Sequence, residues 1–413
     1  MVHEGCEQER GLQLRLSYDD ELMFSRRTDW RLAPNRFSQA LEEARASGKS
    51  ILDLTASNPT RVGIEADETA ILNALRNKSS LDYDPKPKGL FSARLAVADY
   101  YRERGESIDP EALVLTSGTS EGYSHVFRLL ANPGEEVLVP KPSYPLFEFL
   151  AELEGIKLVP YLLIYDHGWQ IDLASVLDVI SDRVRALVVV NPNNPTGSYV
   201  GADERETLNR FCAERGLALI ADEVFLDYSL DRSRQFSFAG NDHALTFTLS
   251  GLSKISALPQ MKLAWIAING PSSIRQRALE RLEVIADTYL SVSAPIQWAA
   301  RPFLEQRKMI QPRISQRVRA NLAELDLQLA QQQICVRLAL QGGWYVVLRV
   351  PVTRPDEELA IQLLRSCSVL VHPGHFYDFP QDGYLVISLI APEKDFRVAT
   401  QRLLTFFDVE SRQ

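Results

Sequence analysis

The feature that most constrains the fold is a series of seven short apolar runs in the middle of the chain. Each run is almost continuously apolar, a pattern typical of strands that are covered on both faces of a sheet. Segments with helical periodicity lie between several of the runs, and strands joined through helices usually run parallel. The runs are residues 111–117, 135–140, 156–163, 185–191, 217–223, 244–250 and 262–268. The sequence therefore predicts a mostly parallel seven-stranded sheet flanked by helices.

The segment after the first run shows the helical pattern. Tyr123, Val126, Phe127 and Leu130 follow one another at steps of three, one and three residues, so they fall on one helical face. We expect this face to pack against the sheet.

The chain changes character after the last apolar run. Residues 271–332 have the pattern of long charged helices, and short apolar runs and one further helical segment follow them. The first 65 residues show no sheet pattern of their own. We therefore expect an N-terminal arm and part of a small domain in 1–65, a large domain in 66–305 and a small C-terminal domain in 306–413. The predicted fold class is α/β, with a smaller α+β domain built from both termini.

The charge and the cysteine content argue against several classes of function. The 413 residues carry a formal net charge of −9, so no basic field exists to attract nucleic acid or an anionic membrane surface. Cys6, Cys212, Cys335 and Cys367 lie far apart, which disfavours a disulfide framework and a zinc site. The N-terminal residues lack the apolar segment of a signal peptide, and no apolar run approaches the length of a membrane span. We expect a cytoplasmic protein that binds no metal.

Polar residues capable of chemistry follow the apolar runs. Residues 116–122 read TSGTSEG between a strand and a helix, where N–H groups can bind a phosphate. Asn194 lies in the turn NPNNPTG, and Asp222 ends an apolar run, where a buried carboxylate needs a cationic partner. Lys254 and Lys262 lie eight residues apart around the start of the last run. Each feature has a plainer interpretation as a cap, a turn or a solvated charge, but ligands bind at the carboxyl ends of parallel strands.

Together these residue types match one cofactor. A lysine that can form a Schiff base, an aspartate that can keep a pyridine nitrogen protonated and a phosphate cradle make a pyridoxal phosphate site. From about residue 50 to its end, the chain resembles the fold-type I pyridoxal-phosphate enzymes of the class I/II aminotransferase group. The resemblance rests on NPTG, ADEV and S-K-x7-K-L-A-W, in that order. It implies the cofactor pyridoxal 5′-phosphate and a homodimer with shared active sites.

The resemblance also assigns roles to individual residues. Lys254 would form the internal aldimine and move the substrate proton, while Asp222 would pair with the ring nitrogen. Asn194 would hydrogen-bond the ring hydroxyl, and Tyr144 would stack on the ring. The residues implied at the cofactor phosphate are Gly118, Thr119, Ser120 and Lys262, and Tyr83 would reach the phosphate of the partner subunit.

Three positions depart from the family pattern around the cofactor. Gly251 stands three residues before the lysine, where a serine that contacts the phosphate is common. Lys262 stands where arginine is usual, so the phosphate keeps a positive charge but loses a bidentate partner. Phe225 replaces a tyrosine that hydrogen-bonds the ring hydroxyl, which leaves Asn194 as the main partner of that hydroxyl.

The arginine that usually clamps the substrate carboxylate is also missing. Val386, in GYLVISLIAP, stands at its position. Arg61, in an N-terminal loop, is the favoured replacement. Weaker candidates are His372, His375 and Lys88. Asn58 and Trp344 are expected to line the substrate pocket, with a turn residue and a core residue as the alternative interpretations.

These patterns favour an aminotransferase that transfers an amino group between an α-amino acid and a 2-oxo acid. The alternative is a pyridoxal-phosphate-dependent lyase or cyclase on the same scaffold, because Val386 and Phe225 both depart from the aminotransferase pattern. A non-catalytic cofactor-binding regulator is disfavoured, since such regulators carry a DNA-binding domain and this chain is acidic. The sequence does not identify the amino donor and acceptor.

Overall fold

The structure, a computed structural model, describes residues 24–30, 32–231 and 236–411. The chain divides into two compact units, residues 1–33 and 34–413. In the first unit the described residues form a 3-10 turn, Arg26–Thr28, and the hydroxyl of Ser25 accepts a hydrogen bond from the backbone N–H of Arg27. Cys6 and the segment in which no signal peptide is expected lie outside the described residues.

The second unit is built from short strands and longer helices. In chain order its strands are β1 (Leu52–Asp53), β2 (Leu113–Thr116), β3 (Glu136–Lys141), β4 (Lys157–Tyr165), β5 (Trp169–Ile171), β6 (Val184–Val190), β7 (Ala218–Asp222), β8 (Thr246–Gly251), β9 (Ala264–Asn269), β10 (Val336–Arg337), β11 (Tyr345–Arg349), β12 (Val369–Leu370), β13 (His372–Pro373) and β14 (Tyr384–Ser388). Its α-helices are α1 (Arg36–Ala46), α2 (Glu68–Ala74), α3 (Phe91–Glu103), α4 (Thr119–Leu130), α5 (Leu146–Glu154), α6 (Leu173–Asp178), α7 (Ala202–Arg215), α8 (Leu252–Ile255), α9 (Ser272–Tyr289), α10 (Ala294–Trp298), α11 (Ala300–Glu305), α12 (Arg307–Leu329), α13 (Asp356–Cys367) and α14 (Glu393–Glu410). Within the described ranges, none of the helices has the length and apolar character needed to cross a membrane.

The large sheet contains all seven predicted strands. Among the described residues it has eight, in the order β2-β9-β8-β7-β6-β3-β4-β5. Neighbours from β8 to β4 run parallel, whereas β2, β9 and β5 run antiparallel to their neighbours. The predicted α/β fold with a mostly parallel sheet is therefore confirmed. The eighth strand, β5, escapes the sequence pattern because three residues at a sheet edge are too few to form an apolar run.

The apolar runs are continuous because successive residues of each strand enter different cores. In β7, Ile220 packs in one core with Tyr123 of α4, whereas Leu219 packs in another core with Leu208 of α7. All four side chains are buried. Burying each aliphatic side chain contributes roughly 1.5–3 kcal/mol, so both faces of the sheet are strongly stabilised. The sheet thereby fixes the positions at which β6, β7 and β8 end.

A second, smaller sheet lies in the C-terminal part of the chain. Its strands follow the antiparallel order β10-β11-β14-β13. Nearby, β1 pairs in parallel with β12, so a segment close to residue 52 is tied to the C-terminal region. One core joins Phe37 and Leu54 to Ile314 and Phe396. The domain boundaries at residues 65 and 305 stay a prediction.

Candidate active site

A cavity of about 420 Å³ is lined by the ends of the central strands and by residues of the small sheet. We call one group the large-sheet wall: Thr119, Ser120, Asn194, Asp222 and Lys254. We call the other the small-sheet wall: Ser57, Tyr345, His372, Phe376 and Tyr377. Tyr144 and Phe225 also line the cavity. Six of the predicted site residues therefore share one space, namely Thr119, Ser120, Tyr144, Asn194, Asp222 and Lys254.

Asp222 is the last residue of β7 and is buried at this edge of the sheet. Burial raises the pKa of its carboxyl to about 6, against the effect of the Val224 N–H, the Tyr123 hydroxyl and the charge of Lys254. The N–H of Val224 donates to Oδ1 at 3.1 Å, and the hydroxyl of Tyr123 donates to Oδ2 at 3.0 Å. A carboxylate held this way is oriented and would be stabilised by a cationic ligand.

Lys254 lies on α8, the short helix that directly follows β8. Its Nζ donates to the carbonyl oxygen of Ser57 at 3.3 Å and lies 4.7 Å from the ring centroid of Trp344 and 5.3 Å from that of Phe225. Burial lowers the pKa of the amine to about 8, although the charge of Asp222 acts in the opposite direction. About a tenth of the amine is then neutral at pH 7, and the neutral form is the nucleophile.

Asn194 lies in a turn that other residues hold in place. Asn193 Oδ1 accepts hydrogen bonds from the N–H and the hydroxyl of Thr196. Gly197 has a φ of +68°, and a Cβ there would lie 2.2 Å from Leu340 Cδ1, so the turn requires glycine. The side-chain oxygen of Asn194 is buried and has no hydrogen-bond partner among the described residues. A buried amide oxygen without a partner fits a polar ligand atom in this cavity.

The other end of the large-sheet wall has the properties of an anion site. Thr119 and Ser120 open α4 after Gly118, so the N-terminal N–H groups of a twelve-residue helix lie at the cavity. The Nζ of Lys262 lies 3.6 Å from the position that a Cβ on Gly118 would occupy. Lys262 is exposed and makes no ion pair with any described residue. A helix N-terminus and an unpaired ammonium group together favour a phosphate-sized anion.

Steric contacts explain why position 251 is occupied by glycine. A Cβ there would lie 2.8 Å from the Cβ of Ala264, the first residue of β9, and 3.0 Å from the carbonyl oxygen of Leu263, the residue before it. A serine side chain would not fit unless the backbone moved. Ser253, two residues later, lines the cavity.

The remaining predicted site residues do not line the cavity. Tyr83 is 86% exposed and borders a separate cavity of about 260 Å³. Arg61 is an exposed residue at the end of the 3-10 helix Pro59–Arg61, and the side chain of Asn58 caps that helix by accepting from the N–H of Thr60. Trp344 is fully buried, with its ring against the amine of Lys254.

Sequence reasoning missed Tyr123 and most of the small-sheet wall. Tyr123 was expected to pack against the sheet, and it is buried there, but its hydroxyl also reaches Asp222. A buried tyrosine needs a hydrogen-bond partner, which is the one sequence-level signal for such a contact. His372 was a weaker candidate for the substrate carboxylate, and it lies in the cavity lining. For Tyr345, Phe376 and Tyr377 the sequence carries no distinguishing signal.

Comparisons with known proteins identify the family of the chain. Residues 34–403 match the family described as Aminotransferase class I and II. The chain is 30% identical over 356 residues to the glutamate-pyruvate aminotransferase AlaA of Haemophilus influenzae, covering 83% of this chain and 87% of the relative. It is 31% identical over 268 residues to the S-alkyl-thiohydroximate lyase SUR1 of Arabidopsis thaliana, covering 62% of this chain and 57% of that protein.

A solved structure shares the fold over nearly the whole chain. The alanine aminotransferase from Pyrococcus furiosus superposes with a TM-score of 0.84 at 23% identity, covering 94% of this chain and 100% of that one. The family match and the relatives confirm the predicted resemblance. Because the family match and the Haemophilus influenzae alignment both span most of the chain, the protein belongs to the aminotransferase class I and II family and is a transaminase.

Proposed function

We propose that this aminotransferase uses pyridoxal 5′-phosphate, bound covalently at Lys254, to move an amino group between an α-amino acid and a 2-oxo acid in the cytoplasm. One observation carries the proposal: Lys254 and Asp222 line the same cavity, and burial shifts the pKa of both groups toward neutrality. Shifted pairs of this kind are characteristic of acid–base sites.

The residues present fit the cofactor. Asp222 would hold the ring nitrogen, and the side-chain amide of Asn194, whose oxygen is buried without a partner, would hold the ring hydroxyl. The start of α4 and Lys262 would hold the phosphate. Tyr144 would cover the ring, since it lines the cavity and is 45% exposed. When bound, pyridoxal phosphate supplies a carbonyl carbon for condensation with amines and a cationic ring that withdraws electrons.

Each charged residue then has one task. Lys254 Nζ, free once the incoming amine has taken its place, would accept the proton from the substrate Cα as general base and would then donate it, as general acid, to the carbon that had carried the cofactor's carbonyl. Asp222 is kept in place by the hydroxyl of Tyr123 and the N–H of Val224, and its carboxylate would stabilise a protonated ring nitrogen. The rings of Phe225 and Trp344 lie against Nζ and limit its contact with water. This burial keeps the pKa of the amine low enough for proton transfer near neutral pH.

A homodimer completes the proposed site. Tyr83 and Leu81 are 86% and 85% exposed, and Tyr83 borders the separate cavity together with Leu290. Exposed apolar side chains on one surface favour a protein interface, and a second copy of the chain would cover them. Tyr83 would then reach the phosphate site of the partner subunit.

A half-reaction tests the proposal. The purified holoenzyme is mixed with single amino acids, beginning with L-alanine and L-glutamate because the named relatives act on glutamate and pyruvate or on alanine. We expect the cofactor absorbance to change to that of the amine form, and addition of a 2-oxo acid to reverse the change. Unchanged absorbance with every amino acid would contradict aminotransfer.

A lyase reaction is the second candidate. The alignment with the Arabidopsis thaliana lyase and the presence of Phe225 beside Lys254 favour it. In the same assay a lyase would release a cleavage product from a substrate with a β or γ leaving group while the amine form of the cofactor failed to accumulate.

A further inference from the structure

We propose that His372, oriented by Tyr377, binds the carboxylate of the amino-acid substrate through a neutral hydrogen bond, in place of an arginine clamp. The inference rests on the proposed function for the presence of an amino-acid substrate. It concerns the small-sheet wall, whereas the cofactor is assigned to the large-sheet wall.

The position of His372 follows from the small sheet. β13 pairs with β14, and His372 is the register partner of Val386. Val386 is fully buried in the core of the small sheet, so it offers nothing to a ligand. His372 is half-buried and lines the cavity, together with Phe376 and Tyr377 of the 3-10 helix Gly374–Tyr377. The strand pair therefore presents an imidazole next to the position where the sequence pattern expects an arginine.

The hydrogen bond between His372 and Tyr377 leaves one donor free. Nδ1 of His372 and the hydroxyl of Tyr377 are 3.0 Å apart. Burial lowers the pKa of the imidazole to about 4 and raises the pKa of the phenol well above its usual value, so both groups are neutral near pH 7. The pair then carries two donor hydrogens, one on the imidazole and one on the phenol, and the hydrogen bond between the two groups uses one of them. In either tautomer the other hydrogen remains for a ligand, on Nε2 of His372 or on the hydroxyl of Tyr377.

The charges around the cavity give this donor its task. Lys254 is the one basic residue other than His372 among the described residues of the lining, and it is assigned to the cofactor. Arg61 does not line the cavity. The charge that acts on the pKa of His372 is the negative charge of Asp53, which opposes the effect of burial and does not supply a cation. A substrate carboxylate in this cavity must therefore find neutral donors on this chain, and the His372–Tyr377 pair provides one.

Two ligands that differ in the carboxylate alone test the assignment on the holoenzyme. Hydrocinnamate carries a carboxylate, hydrocinnamyl alcohol lacks it, and both have a phenyl ring suited to a lining that contains Tyr144, Phe225, Tyr345 and Phe376. Binding is measured by calorimetry and by displacement of a reacting amino acid. We expect H372F to raise the dissociation constant of hydrocinnamate about 10- to 100-fold, because a hydrogen bond to a charged group is lost. The dissociation constant of the alcohol should change less than about 3-fold.

Three further variants distinguish a contact with the carboxylate from other roles of His372. H372Q keeps an N–H donor and should retain part of the preference for the carboxylate. Y377F leaves the imidazole without its orienting partner, so we expect a smaller loss, with KM for the amino acid rising more than kcat falls. H375F is the matched control, because His375 is exposed and meets the ring of Phe376 edge to face without lining the cavity.

Defined outcomes would overturn the assignment. Wild-type enzyme that binds hydrocinnamate no more tightly than the alcohol would do so, as would H372F and H372Q variants that keep the wild-type preference. Equal losses for both ligands would assign His372 to packing alone. Failure of the proposed function would appear separately, as an unchanged cofactor absorbance with every amino acid in the half-reaction.

Discussion

The two walls of the cavity differ in chemistry although they face the same space. The large-sheet wall carries an amine and a carboxylate with strongly shifted pKa values, next to a helix N-terminus. The small-sheet wall carries hydroxyls, an imidazole and a phenyl ring, and none of these groups is charged near pH 7. The difference suggests a division of labour, in which one wall performs the chemistry and the other recognises the substrate.

The division has a structural origin. Asp222 ends β7 and Lys254 lies on the short helix that directly follows β8, and both strands are paired on both sides and buried on both faces. His372 lies on a two-residue strand at the edge of a four-stranded sheet. Short edge elements tolerate sequence change better than a central sheet does. Substrate recognition can therefore diverge while the catalytic wall is retained.

Among the changes considered, removal of the Lys254 amine should reduce activity the most. K254A lacks the nucleophile and the general base, so we expect the half-reaction to slow by at least about 10⁴-fold. Borohydride reduction followed by mass spectrometry should find a cofactor adduct in the wild type and none in K254A. K157A, which removes an exposed lysine from β4, is the control and should behave as the wild type. A reducible cofactor adduct in K254A would break the assignment of chemistry to the large-sheet wall.

The sequence predicts the large-sheet wall better than the small-sheet wall, and the reason is physical. Asp222 stands at the end of an apolar run and Lys254 follows another run by four residues, and the end of a parallel strand has a known location in the fold. Asn58 and Trp344 lie in segments whose orientation depends on tertiary packing. The side chain of Asn58 is used in a helix cap, and that of Trp344 points into the core. No local pattern reveals either outcome.

Helical periodicity shows the same limit at Tyr123. It correctly places this residue on the buried face of α4. It does not show that the hydroxyl reaches a carboxylate 99 residues further along the chain. The partner of a buried polar atom is a property of the assembled fold, because it depends on the packing of β7 against α4.

Loss of the cation at the phosphate end should have the second largest effect. K262M leaves the N-terminus of α4 intact but removes the ammonium group beside Gly118. We expect the dissociation constant of pyridoxal phosphate to rise about 10- to 100-fold, the effect of one lost charged hydrogen bond. Fluorescence titration of the apoenzyme with pyridoxal phosphate measures this dissociation constant. K262R is the charge-conserving variant and K157M is the control. Unchanged cofactor affinity in K262M would remove Lys262 from the site.

Removal of the Tyr123 hydroxyl should have a moderate effect on cofactor binding and on kcat, and the effect on binding should depend on pH. Asp222 has a pKa raised to about 6 in the apoenzyme, so cofactor binding should weaken as the pH falls through this value and the carboxylate is protonated. Y123F removes a donor that stabilises the carboxylate, and the midpoint should therefore move to higher pH. We expect kcat to fall about 10-fold at pH 7.

Y161F provides the matched control for this change. It also removes one buried tyrosine hydroxyl, which donates to the carbonyl oxygen of Val188 at 2.8 Å and not to Asp222. The pH midpoint of cofactor binding should stay at the wild-type value in Y161F. A midpoint that moved equally in both variants would show that general destabilisation, and not the contact with Asp222, causes the shift.

The smallest effect is expected on the small-sheet wall itself, at Tyr345. Its hydroxyl is buried and hydrogen-bonded to the side chain of Ser57, and burial raises the pKa of the phenol, so the group is neutral. Y345F removes one neutral hydrogen bond, and KM for the amino acid should rise about 3-fold while kcat stays near the wild-type value. S57A should give the same change, because the carbonyl oxygen of Ser57 that accepts from Lys254 is retained. A fall in kcat comparable to that of Y123F would mean that the small-sheet wall takes part in proton transfer through Ser57, and the two walls would then have to be treated as one catalytic unit.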